Sequence, residues 1–194
     1  MSATEDRQSS ISTFWKWFST HLDLLETISS DPNVFDKMMT HANKIDPNIE
    51  FLYTKSDTGR NELYVSCGGM RSSITAVEDL VKARPKFAKW DIIAFKQRLS
   101  DDAFQTSQDK VVFDGTYKVD PFSAKIAIQP NGDKYDIWIF SPADKMDDGH
   151  KAAYFILLDM LIGEYAVMTK LAGIEFCEDD GSSLAPLIKI REIL

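Results

Sequence analysis

Two carboxylates stand where carboxylates are costly. Asp159 and Glu164 interrupt "AAYFILLDMLIGEYAVM", an otherwise apolar stretch over 152–168 that reads as helix. A charge taken out of water needs a partner or a proton. Lys96 and Arg98 supply candidates, because they follow the apolar part of "WDIIAFKQR". Strand alternation would place Trp90, Ile92, Ala94, Lys96 and Arg98 on one face. The expectation is that Glu164 or Asp159 pairs with Arg98 where helix meets sheet. That pair is either a structural bridge or part of a polar pocket formed by Asp159, Glu164, Arg98 and Lys96. In a pocket, two carboxylates whose surroundings separate their pKa values can act as general acid and base.

Other arrangements are weaker. Gly68-Gly69 in "SCGGMRSS" sits between a predicted strand and helix, but the spacing matches no phosphate-loop fingerprint and reads as a turn needing positive φ. Cys67 beside it would gain thiolate character at a helix N-terminus. Its candidate bases, His21, His41 and His150, fall on other predicted helices, so a structural thiol is expected. The segment "DKMDDGH" at 144–150 suggests metal ligands. On one continuous helix, however, Asp159 and Glu164 would point roughly 140° apart, and His150 would lie about 21 Å from Glu164 along the axis. Asp147 and Asp148 are explained as acids favoured at a helix N-terminus. Neither a metal nor a cofactor is expected.

The third chemistry-bearing cluster is aromatic. "FWKWF" at 14–18 places Phe14, Trp17, Phe18, His21 and Leu25 on one helix face, with Trp15 and Leu22 on an adjoining stripe. So broad a face implies a helix packed against the domain on more than one side. A pocket wall or partner-binding surface built from Trp15, Trp17 and Trp90 is the alternative. Lys16 is the one basic residue among these aromatics, which argues against a membrane-surface helix.

The elements that must position these residues are legible in outline. Residues 1–9 read as a mobile tail and 10–194 as one domain, with "LSDDAFQTSQD" as a loop or subdomain seam near 99–109. Helical spacing runs from Ser12 to about Ser29, and Asp31-Pro32 caps and opens a second helix. "IEFLYTK" and "NELYVSC" form a hairpin across "SDTGR". Thr75 and Glu78, at capping-box spacing, mark a third helix. "WDIIAFKQR", apolar on both faces as far as Phe95, reads as a central strand. Asn131-Gly132 turns a second hairpin, and one long helix runs from Asp148 to Ala172 with Gly173 ending it. The predicted class is α+β: a single domain with a mostly antiparallel sheet, two N-terminal helices, one crossover helix and a long late helix.

Composition removes several functions. The 194 residues carry a net charge of −8, and the pI is near 4.9. That balance argues against nucleic acid and against anionic lipid. The 152–168 stretch is short for a membrane span and carries two acids. Two cysteines, Cys67 and Cys177, and a polar N-terminus without an export pattern point to reduced thiols in the cytoplasm.

"FWKWF" at 14–18, "ELYVSCGG" at 62–69, "PKFAKWDIIAFKQR" at 85–98 and "LDMLIGEY" at 158–165 together resemble an uncharacterised bacterial family. Its pattern is an N-terminal W-x-W-F helix and a late L-D-x-x-(L/I)-G-E-Y helix. The resemblance implies one α+β domain and supplies no reaction. The functional expectation is therefore a cytoplasmic, non-catalytic binding or regulatory module. Its partner is another protein, with no nucleic acid, no membrane and no oligomeric state implied. A small hydrolase or small-ligand binder using Asp159, Glu164 and Arg98 is the alternative.

Overall fold

Apolar spacing builds the first element. Ile11, Phe14, Trp15 and Phe18 recur at i, i+3, i+4 and i+7, and all four are buried. In the computed structural model, which describes residues 3–28, 31–102, 111–181 and 183–194, they lie on helix α1, Ala3–Thr20. The helix therefore begins inside the stretch read as a tail. Glu5 and Asp6 favour its first turn, and Arg7 reaches Asp79 at 3.7 Å. A break at His21 separates α1 from a single turn, α2, Leu22–Leu25.

The chain divides into two compact units, Met1–Phe95 and Lys96–Leu194, and each mixes helix with sheet. The fold class is α+β. The division falls just before the expected seam, of which residues 103–109 lie outside the described residues.

In the first unit, α3, Pro32–Ala42, opens as predicted: the Asp31 carboxylate accepts the Asn33 backbone N–H at 3.0 Å, with Pro32 at the first position. The hairpin strands are β1, Glu50–Lys55, and β2, Asn61–Ser66. Gly68 and Gly69 both take positive φ, as their turn requires. Helix α4, Ile74–Lys82, then crosses over to β3, Trp90–Ala94, which pairs parallel to β2. The capping box does not form: Ser73 precedes the helix, and its hydroxyl donates instead to Asp46 at 3.0 Å. Nor is β3 central. The order β1-β2-β3 puts β2 in the middle.

In the second unit, β4, Val111–Phe113, pairs with β5, Tyr117–Val119. The main sheet runs β8-β7-β6-β9. Strands β6, Lys125–Asn131, and β7, Lys134–Ser141, form the second hairpin, but Asn131 pairs with Lys134, so the turn residues are Gly132, at φ +64°, and Asp133, one position later than the Asn131-Gly132 pair predicts. Strand β8, Leu171–Glu178, lies parallel to β7, and β9, Ala185–Pro186, pairs with β6. A second helical crossover therefore joins β7 to β8. Ile137 and Ile139 of β7 pack in one core with Tyr154, Leu157, Leu158 and Leu161.

The crossover is where sequence and structure differ most. It is two helices, α5, Asp148–Ile162, and α6, Glu164–Lys170, bent by 101° at Gly163. Among the described residues, no single helix is long and apolar enough to cross a membrane. Gly163 has φ +87°, a conformation that side-chain-bearing residues rarely adopt. A Cβ there would also lie 3.3 Å from the backbone nitrogen of Arg98. Gly173, expected to end the helix, lies instead in β8 opposite Asp136. Gly163→Ala is predicted to cost about 1–3 kcal/mol of unfolding free energy. Chemical denaturation measures it, and an unchanged transition would contradict the bend.

Candidate functional site

Breaking a helix inside an apolar core frees backbone groups that need partners. At Gly163 they are supplied by the segment that follows β3. The Glu164 backbone N–H donates to the Lys96 carbonyl at 2.9 Å, and the Glu164 carboxylate accepts the Lys96 backbone N–H at 3.0 Å. Leu99 N–H donates to the Met160 carbonyl at 2.9 Å. Arg191, its side chain only 7% exposed, donates to the carbonyls of Leu161 at 3.2 Å and Leu99 at 2.8 Å, and to the Asp101 carboxylate. A cation thus meets the negative end of α5.

Three of the four expected pocket residues converge here. Lys96 Nζ lies 3.6 Å from the Asp159 carboxylate, and Glu164 is completely buried. Burial, reinforced by the nearby Glu164 charge and opposed by Lys96, pushes the Asp159 carboxyl up to about 6. Arg98 does not join them. Its half-exposed side chain faces Asp101 at 3.9 Å. The reason is local: β3 stops at Ala94, and Phe95 takes φ +60°, so strand alternation ends before Lys96 and Arg98.

The helix assumption also misplaced the carboxylates relative to each other, because Asp159 and Glu164 belong to different helices. Their cluster holds the chain together. Glu164 is sealed in the core and its carboxylate is bound to backbone. Asp147, as expected of an acid at a helix start, accepts the His150 backbone N–H at 3.0 Å and meets its Nδ1 at 2.8 Å. These bonds, the backbone one foremost, hold the Asp147 carboxyl below its usual range. Among the described residues, no group of three or more His, Cys, Asp or Glu side chains is placed to hold a metal ion. Cys67 is fully buried.

The aromatic residues divide differently from the surface reading. Trp15 and Trp90 are both 4% exposed and belong to the core of the first unit. Trp15 Nε1 donates to the Leu80 carbonyl at 2.8 Å, and its ring meets Phe14 edge-on at 4.9 Å. Trp90 meets Phe18 edge-on at 5.3 Å. Of the three tryptophans Trp15, Trp17 and Trp90, Trp17 alone stays half-buried, stacked between His21 at 5.0 Å and His41 at 4.8 Å.

Open concave surface occurs elsewhere on the first unit. One groove of about 370 Å³ runs between α1, at Trp15, Lys16 and Ser19, and Pro85. Another, of about 650 Å³, follows Arg84, Pro85, Lys86, Phe87, Trp90 and Ile92. Pro85 borders both. Sequence reasoning used this region for its resemblance and its element boundaries but not for its charge: "KARPKFAK" over 82–89 holds four cations and no acid, in a chain of net charge −8. The acid on the larger groove, Asp91, is engaged by Arg60 at 2.6 and 2.8 Å.

Asp159 generates a pH prediction. Its folded pKa lies above the ordinary carboxylate value of 3.8, so between about pH 4 and 6 the folded state holds a proton that the unfolded chain releases. The stability this confers is complete below pH 4 and lost as pH rises through 6. Relative to Asp159→Asn, the wild-type unfolding free energy should fall by on the order of 2–3 kcal/mol between pH 4 and pH 7. Paired denaturation curves test this, and a pH-independent difference would contradict it.

No protein-family model matches the chain, and no curated protein matches it.

Proposed function

We propose that this chain is a cytoplasmic bacterial binding module that docks another protein without catalysing a reaction, and that it belongs to the uncharacterised family its motifs resemble. The observation carrying this reading is the chemistry of the larger open groove. Cations, aromatic rings and aliphatic side chains line it, and its acid is already consumed by Arg60. That lining offers affinity and no nucleophile or general base. Two free cysteines, Cys67 and Cys177, fit a reducing compartment. The alternative hydrolase draws support from the raised pKa of Asp159, but it requires the Arg98 cation beside the carboxylates, and Arg98 faces Asp101.

A photo-crosslinking residue at the exposed position Pro85 tests the reading in the native host. It should capture one defined protein, competed away by excess unlabelled chain, while the same probe at Asp133, exposed in the second unit, should not. Hydrolytic turnover abolished by Asp159→Asn would overturn the proposal.

A further inference from the structure

We propose that the groove along 84–92 receives an acidic, extended segment of the partner protein. The segment's carboxylates meet Arg84 and Lys86, and an apolar side chain lies against Phe87 and Trp90. This inference rests on the binding-module reading and names the chemistry of its ligand.

Charge pairing within the chain shows which cations are left over. Of the four in "KARPKFAK", Lys89 is held by Glu26 at 2.9 Å, and Lys82 ends α4 outside the groove lining. Asp91, the acid facing the groove, is neutralised by the bidentate grip of Arg60. Arg84 uses one guanidinium nitrogen on the Val81 carbonyl at 2.7 Å, which leaves further donors of its planar fork directed outward. Arg84 and Lys86 are exposed on the groove, and neither makes an ion pair with a described residue. Beside them the groove has an apolar floor of half-buried Phe87 and of Trp90, the buried first residue of β3. Two unneutralised cations over an aromatic floor fit alternating acidic and apolar side chains. The groove's volume of about 650 Å³ lies within the range of ordinary ligand sites, ~300–1,000 Å³.

The rest of the molecule sharpens the choice. The chain as a whole, at a net charge of −8, disfavours an acidic ligand, so the local cations of this groove must supply the attraction. A phosphate polymer needs a far larger basic surface than Lys82, Arg84 and Lys86 provide. A second copy of this chain would offer its "CEDDG" at 177–181, but Asp179 there is already paired with Lys125 at 2.9 Å.

The test uses the full chain and fluorescein-labelled peptides read by anisotropy. One peptide alternates Glu or Asp with Leu or Phe, and its analogue replaces each acid by Gln or Asn. The acidic peptide should bind at least about tenfold more tightly than the analogue, weaken as salt is raised, and lose about tenfold in the double variant Arg84→Glu/Lys86→Glu. Both substituted residues are exposed, and circular dichroism confirms that the variant folds. Equal binding of the two peptides overturns the proposal, as does tighter binding of single-stranded oligothymidylate. Concentration-dependent self-association removed by the double variant does so too, because the occupant is then a second copy. If the double variant still captures the partner crosslinked at Pro85, acidic recognition fails while the binding-module reading stands.

Discussion

The reciprocal exchange between Lys96 and Glu164 is the interaction on which the second unit turns. A helix that stops within an apolar core leaves carbonyl and amide groups without partners, and each unsatisfied group costs about 1–3 kcal/mol. Here the first residue of α6 gives its N–H to Lys96 and takes the Lys96 N–H on its own carboxylate. Leu99 and Arg191 serve the carbonyls at the end of α5. The bend at Gly163, the buried Glu164, the raised pKa of Asp159 and the inward-facing Arg191 are therefore parts of one solution. Of the two carboxylates that looked most like catalytic groups, Glu164 satisfies a demand created by the backbone and Asp159 faces the Lys96 ammonium.

That conclusion redirects the functional reading. In the second unit these polar groups face inward and are consumed by its own chain. In the first unit an aromatic cluster fills the core, and the cations of 82–89 remain outside it. Net charge conceals this arrangement, because an average of −8 hides a short stretch of opposite sign. Local charge left over after internal pairing is the better guide to a docking surface.

Elements specified by local chemistry were legible in the sequence. The Asp31-Pro32 start, the existence of a hairpin beside Gly132, though with its turn one residue later than expected, and the broad apolar face of α1 follow from short-range rules. So did the need of Asp159 and Glu164 for partners, which desolvation dictates wherever they lie. The partner itself was misread, because two backbone angles intervene. Phe95 at φ +60° ends the alternation that would have aligned Arg98, and Gly163 at φ +87° breaks a helix whose apolar pattern runs on without interruption. Periodicity records which side chains avoid water and is blind to a turn that keeps them dry. Arg191 gave no local signal: it stands in a short 3₁₀ helix between buried Ile190 and Glu192, with Lys189 close by.

Amide hydrogen exchange at Lys96 tests the central claim most directly. The account predicts that this N–H exchanges only when the second unit unfolds, and that Glu164→Ala accelerates it by about tenfold or more beyond the change at core amides of β7. Exchange at the rate of an unstructured amide in the wild type, or a rate indifferent to Glu164→Ala, would contradict the claim that this carboxylate is structural.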